Sequence, residues 1–378
     1  MNTVKLLQSP AVFAGKAIPN RLAAQAMEIN SAGPGGSVSG AVLARYASLA
    51  AGGWGVVIVE AVSITADSLA RLNGLVLNGK TIDGFRRLVD SFRAASPDSL
   101  FIIQLTHAGR MAGSFSRPVR VFGDDDTIPC LSTAELDTVS SLHGDSVRLA
   151  AKAGFDGVEI KACHGYLGGE LLRPMNDRDD IWGGGPANRA RLVSTAVAEA
   201  KAHRPGFIAG VRVSLYEGLR GGCGTAGAGD VIEDLSGMRA VLGAIVGAGA
   251  DYINVSAGVP ALTPQLTRPV KGNAFDLYHH FRYARTVKEW FPELAVIGSA
   301  YSTGGESAAA YAEENIAAGG VDVAGFGRQN LADPLFPRKL AQGSDDIDYC
   351  TLCGGCSKLL KNQEPVRCTT YPRTAEAT

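Results

Sequence analysis

A short apolar stretch that ends in a cluster of reactive side chains constrains the fold of this chain more than any other feature. The stretch is residues 157–160, and four side chains with acid, base or nucleophilic chemistry follow it within six residues: Lys161, Cys163, His164 and Tyr166. An apolar run of this length is typical of a buried parallel strand. Barrel enzymes carry their catalytic groups at the carboxyl ends of such strands. We therefore expect an active site directly after residue 160.

Short apolar runs alternate with amphipathic stretches along most of the chain. Strands are predicted near residues 21–26 and at 55–60, 100–105, 157–160, 208–213, 252–255, 295–297 and 321–324. Helical patterns lie between them, at residues 83–95, 146–153, 187–202, 237–249, 278–290 and 306–318. Eight strands with helical crossovers predict an α/β fold, a (β/α)8 TIM barrel. A doubly wound sheet is the alternative, but no G-x-G-x-x-G motif follows the first strands, which argues against a Rossmann dinucleotide site.

The length, composition and charge of the chain limit the classes of protein to which it can belong. With 378 residues, of which 46% are hydrophobic, it can form one barrel over residues 1–340 and a short Cys-rich C-terminal tail over 341–378. The net charge of −1 offers no basic surface to nucleic acid. The sequence has no apolar run of 18 residues and no signal peptide pattern at its start. Since the seven cysteines do not suggest a secreted disulfide framework, we expect a cytoplasmic enzyme that does not bind membranes.

Five motifs, in this order, resemble those of the old yellow enzyme family of flavin oxidoreductases. The longest combines GFDGVEI, HGYL, NDRDDIWGGG and NRARL between residues 154 and 192. The other four are residues 9–27, 104–110, 211–214 and 325–328. The resemblance covers nearly the whole chain. It implies a (β/α)8 barrel that binds FMN.

Two Gly-rich turns after the last two predicted strands are suited to a phosphate. Barrel enzymes often bind phosphate at this place. Backbone N–H groups around Gly298, Ser299 and Gly327 can donate to it beside the guanidinium of Arg328. By resemblance, the phosphate is that of FMN.

Two polar residues at strand ends are suited to the flavin ring. The amide of Gln104 can pair with the pyrimidine edge, and the guanidinium of Arg212 can face the N1/C2 oxygen region of the reduced flavin. By resemblance, further positions line the flavin: Gln25, Ala26, Met27, Glu28 and Ala61.

The resemblance also implies a substrate site after residue 160. The family usually has two polar residues three apart, which bind the carbonyl oxygen of an α,β-unsaturated substrate, and a Tyr two residues later that gives the α-proton. The matching positions are Lys161, His164 and Tyr166, so Lys161 departs from the pattern. An ammonium can stabilise an enolate or hold a substrate carboxylate. Glu28 is a second departure, because the family usually has Thr or Cys there; we expect it within salt-bridge reach of Lys161, since an unpaired buried charge is costly.

A cluster of cysteines near the C-terminus is suited to a metal. Cys350, Cys353, Cys356 and Cys368 are spaced C-x2-C-x2-C-x11-C, which fits an iron–sulfur cluster or a structural zinc site. The pattern resembles the tail of the subfamily that includes 2,4-dienoyl-CoA reductase and trimethylamine dehydrogenase. That resemblance implies a 4Fe-4S cluster that passes electrons to FMN, and with it a separate redox partner protein. Zinc and free thiols are the alternatives.

Three hypotheses for the function follow. The first is an ene-reductase-like oxidoreductase, in which NAD(P)H or an iron–sulfur partner reduces FMN, the N5 hydride goes to the β-carbon of an activated alkene, and Tyr166 protonates the α-carbon. The second is a dehydrogenase or amine-oxidising enzyme with Glu28 as the base. The third is a non-flavin hydrolase or aldolase with Lys161 as a Schiff base. For the first we expect a small-molecule substrate with an activated alkene, or with a carboxylate or thioester, and a homo-oligomer.

Overall fold

Eight parallel strands close into a barrel in the computed structural model, which describes residues 5–123, 125–269 and 274–372. An antiparallel hairpin of β1 (Ala11–Phe13) and β2 (Lys16–Ile18) precedes it. The barrel strands are β3 (Leu22–Ala24), β4 (Val56–Ser63), β5 (Leu100–Thr106), β6 (Gly157–Ala162), β7 (Ile208–Ser214), β8 (Tyr252–Ser256), β9 (Ala295–Gly298) and β10 (Val323–Phe326). Each pairs in parallel with the next, and β10 pairs with β3. The predicted (β/α)8 barrel is confirmed, and the doubly wound alternative is wrong.

Helices lie between the barrel strands, and further helices follow the last strand. In the described part of the chain they are α1 (Gly40–Gly52), α2 (Ile82–Ala95), α3 (Thr133–Ala153), α4 (Leu167–Leu172), α5 (Pro186–His203), α6 (Ser236–Gly247), α7 (Pro264–Thr267), α8 (Leu277–Trp290), α9 (Ala308–Ala317), α10 (Arg328–Ala332), α11 (Phe336–Ala341) and α12 (Gly355–Lys361). Short 3-10 helices cover Pro34–Gly36, Gly109–Met111 and Tyr301–Ser307. None of the helices in the described ranges is long and apolar enough to cross a membrane.

Helix α3 is longer than its sequence pattern predicts. The expected helix covers residues 146–153, whereas the observed one begins at Thr133. Its start is fixed by a capping box, in which the Ser132 hydroxyl and the Glu135 carboxylate each bond the backbone N–H of the other residue. Ser, Thr and Gly residues interrupt the amphipathic pattern in the first half of the helix. The start of α3 is therefore indicated by the capping residues and not by hydrophobic periodicity.

Apolar side chains seal the N-terminal end of the barrel. Phe13 and Ile18 of the hairpin pack with Ile58, Ile102 and Tyr252, which point inward from barrel strands. All five are buried, with at most 2% of each residue exposed. Since this end is filled, a ligand can enter the barrel only from the opposite end, where the strands finish. We call that end the C-terminal mouth.

Strand register brings polar residues to the same level of the barrel. Lys161 on β6 pairs with Arg212 on β7, which pairs with Asn254 on β8. Two residues earlier on β6, Glu159 pairs with Gln104 on β5. Because adjacent parallel strands run in the same direction, these side chains gather near the C-terminal mouth.

The C-terminal tail packs across the mouth. Val366 N donates to Ile29 O at 2.8 Å, and Leu72 N donates to Gln363 Oε1 at 2.9 Å. The predicted boundary between barrel and tail, residues 340 and 341, falls inside α11. The tail therefore contacts the loops that follow β3 and β4.

Candidate active site

A cavity of about 310 Å³ opens at the C-terminal mouth, and we call it the main cavity. Thirteen of the predicted site residues line it: Gln25, Ala26, Met27, Glu28, Gln104, Lys161, His164, Tyr166, Arg212, Ser299, Gly327, Arg328 and the tail cysteine Cys356. Residues that the sequence does not single out complete the wall, among them Arg71, Ser256, Arg268, Ser302 and Leu360. The predicted strand ends therefore converge on one space.

Amide and carboxylate groups form a hydrogen-bonded network around the barrel end of the main cavity. Asn254 Nδ2 donates to Gln25 Oε1 and to Glu159 Oε2, at 2.8 Å in each case. Gln104 Nε2 donates to Glu159 Oε1 at 2.6 Å, and Arg212 donates to Gln25 Oε1. Glu159 is fully buried, so these donors offset the cost of placing its carboxylate in the barrel. The network fixes the Gln104 and Arg212 side chains where they face the cavity.

Glu28, Arg71, Lys161 and Tyr166 form a charged cluster in the cavity wall. Arg71 Nε donates to Glu28 Oε2 at 2.8 Å, and Lys161 Nζ lies 3.3 Å from Glu28 Oε1. The Tyr166 hydroxyl donates to the same Oε1 at 2.7 Å. The Lys161 ammonium also lies 3.4 Å from the centre of the Tyr166 ring, a cation–π contact. The predicted contact between Lys161 and Glu28 is therefore confirmed.

The charges in this cluster control its protonation. Burial by itself raises the pKa of Glu28, but Arg71, Lys161 and the Tyr166 hydroxyl together hold that pKa well below its usual range. Burial and the Glu28 carboxylate raise the pKa of Tyr166 well above its usual range. Burial lowers the pKa of Lys161, and the attraction of Glu28 opposes this shift. At neutral pH the cluster thus combines an ionised carboxylate with a protonated phenol.

His164 is held in an uncommon backbone conformation at the end of β6. Its φ of 61° lies in the left-handed region, and its backbone N–H donates to Ser214 Oγ at 3.2 Å. Its Nε2 lies 2.9 Å from Ser256 Oγ, which leaves Nδ1 for another bond. Burial, with the positive charges of Arg212 and Lys161, lowers the pKa of His164 well below its usual range. The imidazole is therefore neutral at pH 7.

Three arginines line the main cavity without a carboxylate partner in the described residues. They are Arg212, Arg268 and Arg328, and none of them forms a salt bridge within residues 5–123, 125–269 and 274–372. Arg212 Nε is also buried, with no hydrogen-bond partner among the residues that the structure describes. Since partly buried cations need counter-charges, this part of the cavity is suited to an anionic ligand.

Two predicted cofactor-binding residues lie outside the lining of the main cavity. Ala61 is buried within β4. Gly298 ends β9, and a Cβ atom there would lie 2.5 Å from the Tyr301 hydroxyl. Packing of the Tyr301 side chain, which accepts a bond from Asn315, thus accounts for the glycine at this position.

The four tail cysteines lie together, but not as a metal cage. Cys350, Cys353, Cys356 and Cys368 line one cavity of about 20 Å³, next to Arg328. Among the described residues, no group of three or more His, Cys, Asp or Glu side chains could hold a metal ion. The Cys353 sulfur instead contacts the Thr369 and Thr370 hydroxyls. In this arrangement the space between the thiols suits a single water better than an eight-atom cluster.

Some residues of the site have a signal in the sequence and others have none. Asn254 and Ser256 are polar side chains inside the apolar run of β8, and such interruptions can indicate a buried network. Arg71 and Arg268 lie in connecting segments, where an arginine is ordinary, so only the fold brings them to the cavity.

Comparison with known proteins identifies the relatives of this chain. Residues 7–346 match the model of the NADH:flavin oxidoreductase / NADH oxidase family. The chain is 31% identical over 308 residues to an NADPH dehydrogenase of Bacillus subtilis (strain 168), a match that covers 79% of the chain and 83% of that protein. It is 28% identical over 367 residues to the NADH-dependent flavin oxidoreductase iliE of Neonectria sp. (strain DH2), with 86% of the chain and 45% of that protein covered.

A solved structure shares the fold. The complex of 2-naphthoyl-CoA reductase with 2-naphthoyl-CoA superposes with a TM-score of 0.84 at 20% sequence identity. The superposition covers 99% of this chain and 58% of the other. The chain thus spans a little over half the length of that reductase, and less than half of the Neonectria protein.

Proposed function

Because the chain belongs to the NADH:flavin oxidoreductase / NADH oxidase family, we propose that it is an FMN-dependent oxidoreductase that reduces an activated C=C bond. The observation that carries this proposal is a protonated phenol, Tyr166, in the same cavity as His164 and Lys161. A positioned acid beside two groups able to bind a substrate oxygen is what protonation next to a carbonyl group requires.

The residues of the main cavity fit FMN. Within the described ranges, Arg212 Nε is buried without a hydrogen-bond partner, and neither Arg268 nor Arg328 has a carboxylate partner, so these arginines favour a ligand with more than one negative group. Arg328, Ser299 and Gly327 would hold the phosphate, Gln25 and Gln104 would pair with the pyrimidine edge, and Arg212 would face N1. When bound, FMN would supply the two-electron chemistry, taking a hydride from NAD(P)H and passing one to the β-carbon of the alkene.

The side chains of this chain then bind and protonate the substrate. Lys161 and the free nitrogen of His164 stabilise the carbonyl oxygen as it gains negative charge. Tyr166 gives its hydroxyl proton to the α-carbon. Glu28 positions Tyr166 and Lys161, because it bonds both through one carboxylate oxygen.

The alternative of an amine-oxidising enzyme with Glu28 as the base has weaker support. Arg71, Lys161 and Tyr166 stabilise the ionised form of Glu28 and keep its pKa low. A carboxylate with a low pKa is a poor general base at neutral pH. The hypothesis of a non-flavin aldolase or hydrolase does not agree with membership of a flavin oxidoreductase family.

Two measurements test the proposal. Heat-released supernatant from protein purified with added cofactor should contain FMN; FAD, or no flavin, would contradict the assignment. NAD(P)H oxidation should depend on an added enone under anaerobic conditions. Oxidation of amines with an artificial acceptor, without any turnover of enones, would favour the alternative.

The tail cysteines supply a donor set for a metal centre, although their present arrangement does not fit a 4Fe-4S cluster. We therefore assign no step of the reaction to such a cluster or to a protein that would reduce it. Iron and acid-labile sulfide measured after anaerobic purification decide the matter. About four irons per chain would demonstrate a cluster, one zinc would demonstrate a structural site, and neither would leave four free thiols.

A further inference from the structure

The main cavity carries more positive charge than FMN can neutralise. Five cations that are at least partly buried line it: Arg71, Lys161, Arg212, Arg268 and Arg328. Within the described stretches of chain, Glu28 is the one carboxylate in the lining. Burial lowers the pKa of both lining histidines, His164 and His280, so neither adds charge at pH 7. The exposed Lys361 in the lining adds one more positive charge, and the buried Glu159, which accepts a hydrogen bond from Gln104 in the wall, adds one more negative charge. The described residues thus contribute four more positive charges than negative ones.

Reduced FMN accounts for most of this excess. Its phosphate carries about −1.5 to −2 charges at neutral pH, and the reduced ring adds about one more when N1 is deprotonated. About one positive charge then remains without a counter-charge. Partly buried charges without partners are costly, so a further anion is expected in the cavity when the site is filled.

Arg71 and Lys161 have free donors for such an anion. Arg71 uses Nε for Glu28 and Nη1 for the Ala70 carbonyl, which leaves its other N–H groups unbonded in the described structure. In the part of the chain that the structure describes, Lys161 Nζ makes one hydrogen bond, to Glu28, and it has three N–H groups. Both cations contact the same carboxylate from its two oxygens, so they lie on adjacent parts of the wall.

We propose that the substrate is an activated alkene that also carries a carboxylate, and that this carboxylate binds to Arg71 and Lys161. The inference rests on the proposed function for the position of the alkene. Arg71 is a specificity-determining residue in this scheme, because its guanidinium distinguishes an acid from a neutral ester of the same size.

A matched pair of compounds tests the inference. The probes are 3-oxocyclohex-1-ene-1-carboxylate and its methyl ester, which share the activated alkene and differ in charge. Titration calorimetry on the oxidised holoenzyme measures binding without turnover. We expect the acid to bind at least about tenfold more tightly than the ester, and Arg71→Gln to reduce that preference to within about threefold. Arg117→Gln, a change at an exposed arginine paired with Glu135, should leave the preference intact.

A change at Glu28 provides a second test, because it should shift the preference for the acid in the direction opposite to that of Arg71→Gln. Glu28→Gln removes the negative charge next to the proposed carboxylate site, so it should increase the preference for the acid over the ester. If Arg71 has only a structural role, Arg71→Gln will weaken the binding of both compounds equally, and that result would overturn the inference. Tighter binding of the ester in the unmodified enzyme would also overturn it and would point to a neutral acyl group such as a thioester.

Failure of the inference differs from failure of the proposed function. If both compounds reoxidise the reduced flavin equally well and Arg71→Gln changes neither, the carboxylate site is wrong and the ene reduction stands. If the acid binds with the expected preference but never reoxidises the flavin, the anion site stands and the ene reduction is wrong.

Discussion

The hydroxyl of Tyr166 donates to Glu28 Oε1 at 2.7 Å, so the proposed proton donor is held by a carboxylate that is itself paired with two cations. This arrangement orients the phenol and keeps its proton in place at neutral pH. It also means that the Tyr166 hydroxyl must break its hydrogen bond to Glu28 before it can give its proton to the substrate carbon. The strength of this hydrogen bond is therefore part of the barrier.

Replacement of Tyr166 by Phe should separate the two halves of the catalytic cycle. Flavin reduction by NAD(P)H should be unchanged, because the phenol takes no part in it. Reoxidation by an enone should slow by about 10²-fold, the usual contribution of a general acid. Stopped-flow absorbance of the flavin measures both steps. An unchanged reoxidation rate would remove Tyr166 from the mechanism.

The pair of Lys161 and Glu28 should show energetic coupling. Each single change, Lys161→Met or Glu28→Gln, leaves a poorly exposed charge with fewer partners and should lower the free energy of unfolding. The double variant should be less destabilised than the sum of the single variants, by about 1–3 kcal/mol. Guanidinium unfolding of the four proteins measures this coupling. Additive effects would mean that the contact does not contribute to stability.

Arg328→Ala should weaken retention of FMN. Loss of one charge-assisted contact to a phosphate corresponds to about 1.5–3 kcal/mol, or roughly a tenfold to hundredfold rise in the Kd for FMN. Fluorescence titration of the apoprotein with FMN gives this constant. Arg86→Ala is the matched control, since Arg86 pairs with Asp83 on an exposed face of α2. Equal affinity in both variants would contradict the phosphate assignment.

Glu60 should make the protein less stable as the pH rises. Burial raises the pKa of this carboxyl to about 8, although the Ile29 N–H bonds its Oε2. The native state therefore holds a proton that the unfolded chain loses near pH 4.5, so this stabilisation is complete below pH 4.5 and is lost as the pH rises to about 8. In Glu60→Gln, the melting temperature should fall less between pH 5 and 8 than in the unmodified protein. Parallel curves for the two proteins would contradict the assignment.

Cys353 should be the first tail cysteine to react with an alkylating agent. Hydrogen bonds from the Thr370 hydroxyl and the Gly355 N–H lower the pKa of this exposed thiol to about 6. The thiolate is the reactive form, so modification by iodoacetamide should rise through an inflection near pH 6. Peptide mass spectrometry follows each cysteine, with the exposed Cys130 as a reference. Protection of Cys353 in anaerobically purified protein, lost on treatment with a chelator, would instead reveal a bound metal.

The strands could be predicted from the sequence because most residues of each barrel strand are apolar, and polar or glycine residues lie at its end or soon after it. Such runs as β4 and β5 are buried on both faces, so their pattern is simple. The hairpin of β1 and β2 is not predicted, because strands of three residues carry too little periodicity. The tail helix α12 is not predicted either, because it has no buried residue to create an amphipathic pattern.

The site could be predicted where one segment carries several chemical groups, as after β6. The partners of those groups come from distant loops. Arg71 reaches Glu28 across 43 residues of sequence, and Ser256 reaches His164 across 92. Neither residue belongs to a motif, and only closure of the barrel brings each one to its partner. The resemblance to a known family suggested the cofactor and the contact between Lys161 and Glu28, whereas the contact of Glu28 with Arg71 follows only from the fold.

The packing of the tail has a consequence for how this enzyme can be redesigned. The family match ends at residue 346, yet Leu360 and Val366 still line the main cavity. A gene trimmed to the family boundary would therefore encode a barrel with one side of its pocket open to water. Conversely, exchange of the last thirty residues between relatives would alter the pocket while every barrel strand stayed the same. We therefore expect the segment after residue 346 to influence which molecules the main cavity admits.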